Sequence, residues 1–336
     1  MGYYAHVAHG QSELVLHRQP ITKVLEAPGT DPHLKARLRL AQQARRFASR
    51  ALYLPDNRSY TSYVALDRPY VVWNVFATPP YSVDAVRQCF PFAGCVAYRG
   101  YFSQAKADHH ASELKAGGDD VYVGGVAAYS TLGWFADPIL SSMMRWDDDE
   151  LASTIFHELA HQLIYVKDDS SFNESFASFV QAEGLRQWRL SRGLPASQGR
   201  SEAMDDSFTQ LVLDLRKRLR VVYAQGGDTA HLEAGKQQEI AAFRQRYAQW
   251  RDGQWPGRHD YDAWVAAPIN NARLLPFGIY DHWLAAFEQL YRRSGARWPA
   301  FYQAVRELAH QPRVQRDASL QALLTGGAAE AGNPMP

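Results

Sequence analysis

Two histidines and a glutamate share the segment IFHELAHQLIYV, residues 155–166. On an α-helix, residues four apart point in nearly the same direction and lie one turn apart. His157 and His161 can therefore offer two imidazole nitrogens to one metal ion, and Glu158 can reach a metal-bound water without binding the ion. The pattern predicts two metal ligands and a general base. The alternative is a buried helix whose histidines hydrogen-bond to neighbouring elements.

A third ligand is expected from the segment FNESFASFV, residues 172–180. Glu174 stands at the start of a second predicted helix, and the connection through KDDSS is short enough for that helix to fold back over the histidines. Two histidines and one glutamate leave the fourth tetrahedral position to water, as in catalytic zinc sites. One Zn²⁺ per chain is thus predicted. The alternative for Glu174 is an ordinary first-turn glutamate that accepts backbone N–H groups.

These residues carry a family resemblance. HELAH followed by NESFA resembles the zincin metallopeptidases whose third ligand is the glutamate of an Asn-Glu-x-x-Ala motif. The gap from His161 to Glu174 is shorter than in the thermolysin-like and membrane-alanyl-aminopeptidase-like enzymes. The chain is more similar to a bacterial family of zinc aminopeptidases, which resembles it in five segments between about Cys89 and Tyr280. The segments are CFPFAGCVAYRGYFS, VAAYSTLGWFADPIL, IFHELAHQ, FNESFASFV and NNARLLPFGIY. The resemblance implies a zinc aminopeptidase that acts on peptides or proteins.

The chemistry expected of such a site is peptide hydrolysis. Zinc lowers the pKa of a bound water towards ~7 and polarises the scissile carbonyl. Glu158 is expected to take the water proton and to pass it to the leaving amine. The tetrahedral oxyanion needs a second donor besides zinc. Tyr280 is favoured over Tyr129 for this role, although a place as a core aromatic suits Tyr280 equally well.

Other residues are candidates for substrate binding. In zincins the strand before the metal helix commonly pairs with an extended substrate, and AYSTLGWFADP, residues 128–138, is placed to do so with Tyr129. An aminopeptidase also needs a carboxylate for the substrate ammonium. Asp137 is the best placed, although capping the following turn is its favoured role, and Glu183 lies far along the second helix. Asn271 is expected either to orient a loop or to bind the substrate backbone.

Composition describes a globular protein with a large core, since 46% of the 336 residues are hydrophobic. The net charge of +1 and the lack of a basic cluster argue against nucleic acid as a partner. No run of 18 apolar residues predicts a bilayer span.

The residue pattern predicts an α+β fold, and the family resemblance implies that this fold is zincin-like. A small, mostly antiparallel sheet is expected to pack against the metal-binding helix, and a largely helical C-terminal part follows. Strands are predicted in SYTSYVALD, YVVWNVFATP, CVAYRGYFS and DVYVGGVAAYS. Helices are predicted at 33–53, 104–117, 147–166, 173–194, 200–225, 230–252, 277–293 and 297–310. The expected division is a helix and mixed sheet region at 1–146, a helical region with the metal site at 147–324, both in one catalytic unit, and a disordered tail at 325–336.

Cys89 and Cys95 flank the turn-forming segment FPFAG. An even count at such close spacing favours a disulfide in an oxidising compartment, and two reduced buried thiols are the alternative. Members of the resembling family often carry a lipoprotein signal that ends shortly before a GYY-like start. A periplasmic location is therefore expected, with membrane attachment only through an N-terminal lipid that this chain lacks. A cytoplasmic location is left open.

Other functions fit the same residues. One is a zinc endopeptidase, and another is a non-catalytic zincin-fold binding or sensor protein. The presence of Glu158 favours an enzyme, because a binding protein has no use for a base there. A metal hydrolase that acts on another bond is also compatible, because the site specifies hydrolysis and not the bond.

Overall fold

The computed structural model describes residues 2–90, 94–131, 135–197, 199–277 and 283–330. The α+β class is confirmed, with about 61% helix and small mixed sheets. The chain divides into two compact units, neither of them continuous in sequence. Unit 1 comprises Met1–Val72, Val126–Ala196 and Ile279–Pro336, and unit 2 comprises Trp73–Gly125 and Ser197–Gly278. Each unit combines segments that are distant in the chain, and the division expected at residue 146 stays a prediction.

Unit 1 carries the two helices with the candidate metal ligands. Its helices, labelled in chain order, are α1 (Tyr3–Leu16), α2 (Ile21–Glu26), α3 (Pro32–Arg50), α5 (Asp148–Leu163), α6 (Ser170–Ser191), α10 (Leu284–Arg293), α11 (Trp298–Ala309) and α12 (Arg313–Glu330). Its sheet has the order β1 (Gln19–Pro20), β2 (Ser62–Val64), β8 (Ile139–Leu140). The first pair is antiparallel and the second parallel. A 3₁₀ helix, Ser141–Arg145, leads from this sheet towards α5.

Unit 2 has a separate core between two long helices. Its elements are β3 (Val72–Thr78), β4 (Gln88–Phe90), β5 (Gly94–Val96), β6 (Tyr98–Tyr101), α4 (Gln104–Ala116), β7 (Asp120–Val126), α7 (Arg200–Ala224), α8 (Thr229–Gln254), α9 (Asp262–Ala266) and a 3₁₀ helix at Asn271–Leu274. The strands form a sheet of order β6-β3-β7 and the antiparallel hairpin β4-β5. Cys89 and Cys95 face each other across this hairpin and form a disulfide.

The strand-like segments do not join into the single sheet expected from the sequence. The first of them contributes to β1-β2-β8 in unit 1, whereas the others form the sheets of unit 2. The strands are short because turn residues interrupt them. Of the expected edge segment 128–138, the described residues 128–131 and 135–138 are not strand, and the remainder lies outside the described part of the chain.

The predicted helices agree with the observed ones to within a few residues, apart from the start of α10. That helix begins at Leu284, and part of the preceding segment lies outside the described residues. Four further helices, α1, α2, α9 and α12, have no counterpart among the predicted ranges. Helix α12 continues to Glu330, so the expected disordered tail is helical in its first part, where alanine favours helix. No helix in the described ranges has both the length and the apolar run that a bilayer crossing needs.

Helices α5 and α6 pack closely in the core of unit 1. The α5 face made by Leu151, Ile155 and Leu159 is completely buried. Gly184 of α6 permits the close approach, because a Cβ at this position would lie 2.7 Å from Leu52 Cδ1 and 3.1 Å from Phe156 Cδ2. Both distances are shorter than ordinary van der Waals contact, so a larger residue at this position would force the buried Leu52 and Phe156 side chains to shift.

We expect Gly184→Ala to lower the free energy of unfolding by about 1–3 kcal/mol, because overpacking outweighs the helix propensity of alanine. Denaturant unfolding measures this change. The matched control is Gly253→Ala in α8, where an added Cβ meets nothing within 4 Å. This control should leave stability unchanged or raise it slightly. A Gly184→Ala protein as stable as the wild type would contradict the packing described above.

Candidate metal centre

The site begins with the local structure of α5 and α6. The side chain of Asp147 caps α5 and accepts a hydrogen bond from the Glu150 N–H at 2.8 Å. Asp169 caps α6 in the same way, with the Phe172 N–H at 3.1 Å. The start of α5 meets the end of α6, where Asp149 pairs with Arg189. The two helices are therefore antiparallel, as the sequence predicted, and the end of α5 lies next to the start of α6.

Three ligand atoms converge where the helices meet. The Nε2 atoms of His157 and His161 are 3.1 Å apart. Glu174 Oε2 lies 3.3 Å from His157 Nε2 and 3.4 Å from His161 Nε2. His161 is buried, and the side chains of His157 and Glu174 are only 12% and 23% exposed. This group has the residue types and the closeness needed to hold a metal ion.

The charges of this group favour a cation between its members. Burial opposes ionisation of Glu174, yet the two imidazoles outweigh it and lower the pKa of its carboxyl below the usual value. Burial likewise disfavours the charged form of His161, but the carboxylates of Glu174 and Glu158 outweigh it and raise its pKa. Lone pairs at 3.1–3.4 Å repel one another unless a proton or metal ion lies among them.

The turn between the helices is held by Asn173, the residue before Glu174. Its side-chain amide accepts from the Val166 N–H and donates to the Val166 carbonyl, both at 2.7 Å. Asp168 in this turn adopts a left-handed backbone with φ of 64°. This local structure brings the start of α6 back over the histidines, which explains how so short a connection can deliver Glu174.

A buried ion pair supports the same turn from α12. Arg316 donates to Asp169 Oδ2 from Nε at 3.0 Å and from Nη2 at 2.5 Å, and both residues are under 5% exposed. The other oxygen of Asp169 caps α6. Arg316 also lies over the ring of Phe172. The C-terminal helix therefore fixes the first turn of the helix that presents Glu174.

The two histidines differ in their outer hydrogen bonds. His157 Nδ1 lies 2.9 Å from Gln181 Oε1. Because an amide oxygen only accepts, Nδ1 carries the proton and Nε2 keeps its lone pair for the site. Gln181 is in turn oriented by a hydrogen bond to Ser153 Oγ at 3.3 Å. His161 Nδ1 is buried and has no hydrogen-bond partner among the described residues.

Sequence comparison adds to this geometry. Residues 2–320 match the family described as "Putative aminopeptidase". The chain belongs to this family. Its membership covers nearly the whole chain and suggests a peptidase, which confirms the likeness to an aminopeptidase family inferred from the shared segments. No curated protein and no solved structure gives a significant match.

Other candidate residues of this aminopeptidase-family chain have structural partners. Asp137 is 1% exposed and accepts hydrogen bonds from Thr131 Oγ1 at 2.8 Å and Gln162 Nε2 at 3.3 Å. Burial raises the pKa of Asp137 to about 6, although donors from Thr131 oppose the rise. Burial, together with the Asp137 carboxylate, raises the pKa of Tyr129 to about 12. These contacts tie Thr131 to Asp137, and the described residues on either side, 128–131 and 135–138, form no edge strand.

The remaining candidates, Asn271 and Tyr280, belong to neither α5 nor α6. Asn271 belongs to unit 2, where it is fully buried. Its backbone N–H donates to Asp120, and its side chain bonds to the Pro80 carbonyl and to Tyr223. These contacts are those of a residue that orients a loop. Tyr280, the favoured oxyanion donor, lies outside the described residues.

Sequence reasoning missed the residues that support the ligands. Asn173 was the easiest of them to predict, because it adjoins Glu174 in the NE pair and asparagine often closes turns. Gln181 lies seven positions after Glu174 and so on the same face of α6, a signal that helical periodicity contains. Arg316 left no local signal, because its contact with Asp169 joins segments far apart in the chain.

We expect Gln181→Leu to weaken binding of a divalent transition-metal ion by about 10–100-fold, because His157 loses the acceptor that orients its ring. Titration against a competing chelator measures the affinity. Gln181→Glu retains an acceptor and should bind at least as tightly as the wild type. The control is Gln187→Leu on the same helix, where the side chain bonds to Tyr291 and Trp298 instead. Equal affinities in Gln181→Leu and wild type would remove Gln181 from the site.

Proposed function

We propose that this protein is a zinc-dependent peptide hydrolase, and an aminopeptidase in particular. The observation that carries the proposal is the convergence of His157 Nε2, His161 Nε2 and Glu174 Oε2 within 3.1–3.4 Å of one another. Membership of a family described as aminopeptidases supports peptide bonds as the substrate.

The spacing and the donor types support zinc. Ligands ~2.0–2.2 Å from a tetrahedral zinc lie roughly 3.3–3.6 Å from one another, close to the observed separations. Two imidazoles and one carboxylate suit zinc better than magnesium or calcium, which prefer oxygen ligands. Three protein ligands are typical of a catalytic zinc site.

When bound, zinc supplies Lewis acidity that polarises the scissile carbonyl and acidifies the attacking water. Glu158 follows His157 directly on α5 and acts electrostatically on His161. Its carboxylate removes a proton from water as the oxygen bonds to the carbonyl carbon. The same proton passes from Glu158 to the amide nitrogen as the C–N bond breaks. His157, His161 and Glu174 would remain the ligands of the zinc throughout the reaction.

A second candidate function is a zinc endopeptidase. An aminopeptidase must pair the substrate ammonium with a carboxylate, since an unpaired buried charge is costly. The Asp137 carboxylate is buried and bonded within its own loop. Glu183 is engaged by Arg186 and by Gln187 at 2.7 Å. Neither Asp137 nor Glu183 is therefore a free anchor for the ammonium, and this observation is what keeps the endopeptidase as the second candidate.

We expect Glu158→Gln to retain about one zinc per chain and to lose about 10²–10⁴-fold in kcat, because an amide cannot accept the water proton. Metal analysis and peptide hydrolysis measure the two effects. His157→Ala and His161→Ala should lose the zinc. Glu150→Gln, the same substitution in the first turn of α5, is the control and should behave as the wild type. Near-normal turnover in Glu158→Gln, or unchanged zinc in both histidine variants, would contradict the proposal.

We expect the metal-loaded protein to shorten free peptides from the N-terminus and to leave their N-acetylated twins intact, because acetylation removes the ammonium group. Mass spectrometry of both digests distinguishes the two functions. Equal cleavage of both peptides at internal bonds would identify an endopeptidase and exclude the exopeptidase assignment.

A further inference from the structure

Tyr60 combines two unfavourable features at one buried position. It is 2% exposed, and its backbone φ of 61° lies in the left-handed region, which bulky residues rarely adopt. Two backbone contacts hold it there. Its N–H donates to the Asp137 carbonyl, and its carbonyl accepts from Gln42 Nε2, both at 2.6 Å. Backbone strain of this kind clusters at functional sites, where the surrounding structure maintains it.

The hydroxyl of Tyr60 is the second unfavourable feature. Buried tyrosine hydroxyls usually find a hydrogen-bond partner, as Tyr302 does by donating to the Leu52 carbonyl at 2.8 Å. Tyr60 Oη is buried without one, the only tyrosine hydroxyl of the described residues in this position. An unsatisfied buried donor destabilises the folded state. A protein acceptor close to this hydroxyl would therefore stabilise it.

Glu158 is the group that matches this donor. The residue before Tyr60, Ser59, contacts the side chain of Gln162, which lies one turn after Glu158 on the same face of α5. No described residue donates a hydrogen bond to the Glu158 carboxylate. Burial, then the charges of Glu158 and Asp137, raises the pKa of Tyr60 well above its usual value, so the hydroxyl keeps its proton. The unpartnered hydroxyl and the Glu158 carboxylate therefore belong to two segments that touch through Ser59 and Gln162.

We propose that Tyr60 is a positioning residue for Glu158, and that its hydroxyl donates to one carboxylate oxygen so that the other is directed at the attacking water. This inference rests on the proposed hydrolytic role of Glu158. Hydrogen bonds of catalytic groups are often long in the unliganded protein and shorten once the site is loaded. This role would also account for the left-handed backbone of Tyr60, which lies in the buried segment just before β2.

Tyr60→Phe tests the proposal because it removes one oxygen and leaves the ring. In the zinc-loaded protein we expect kcat to fall by about 10–100-fold, with KM and zinc content unchanged, since a misdirected base reacts more slowly. Tyr302→Phe is the matched control. It loses a satisfied hydrogen bond, so its melting temperature should fall while kcat stays at the wild-type value. A Tyr60→Phe enzyme within about twofold of wild-type kcat overturns the proposal.

A thermal double-mutant cycle separates this inference from the function on which it rests. In zinc-loaded protein, Tyr60→Phe should lower the melting temperature when Glu158 is present and should leave it unchanged or raise it in the Glu158→Ala background. Tyr302→Phe should lower it equally in both. The cycle needs no substrate, so it decides the Tyr60–Glu158 contact even if no peptide is cleaved. Equal effects of Tyr60→Phe in both backgrounds overturn the contact.

Discussion

Three lone-pair donors that repel one another are held together in unit 1, and the packing of the surrounding helices has to overcome this repulsion. His157, His161 and Glu174 are held 3.1–3.4 Å apart in a mostly buried place, an arrangement that is unfavourable without positive charge among them. Side chains free to move would separate. They stay together because the helices that carry them are fixed by other contacts, so the packing energy of the core is what keeps the site ready for a cation.

Those contacts come from several directions. Gly184 lets α6 approach Phe156, the residue before the first histidine. Asn173 closes the turn, and Gln181 orients one imidazole. Gln162, next to His161, joins α5 to the Asp137 loop. Each of these residues is polar or small where a larger apolar residue would bury more surface. These residues therefore contribute less hydrophobic stabilisation than larger apolar residues would, and they fix the positions of the candidate ligands instead.

The sequence predicts the structural features that depend on neighbouring residues. It does not predict those that depend on contacts between distant segments. The period of α5, its acidic first turn and the pairing of the two histidines follow from local spacing alone. The return of α6 could be predicted because the connection is short. By contrast, the Asp137 loop and the left-handed backbone at Tyr60 depend on contacts between residues far apart in the chain. The expected edge strand was wrong in its described residues for this reason, since the Asp137 carboxylate accepts hydrogen bonds from Thr131 instead.

The pair formed by Arg316 and Asp169 has a consequence for biosynthesis. The helix cap that orients Glu174 is completed by a residue 316 positions into the chain, on a helix that leaves the ribosome late. At ~5–20 residues per second, synthesis from Glu174 to Arg316 takes on the order of ten seconds. During that interval the nascent chain has both histidines and the glutamate but lacks the clamp on their turn. The turn that presents Glu174 therefore gains its last support only after Arg316 has been synthesised.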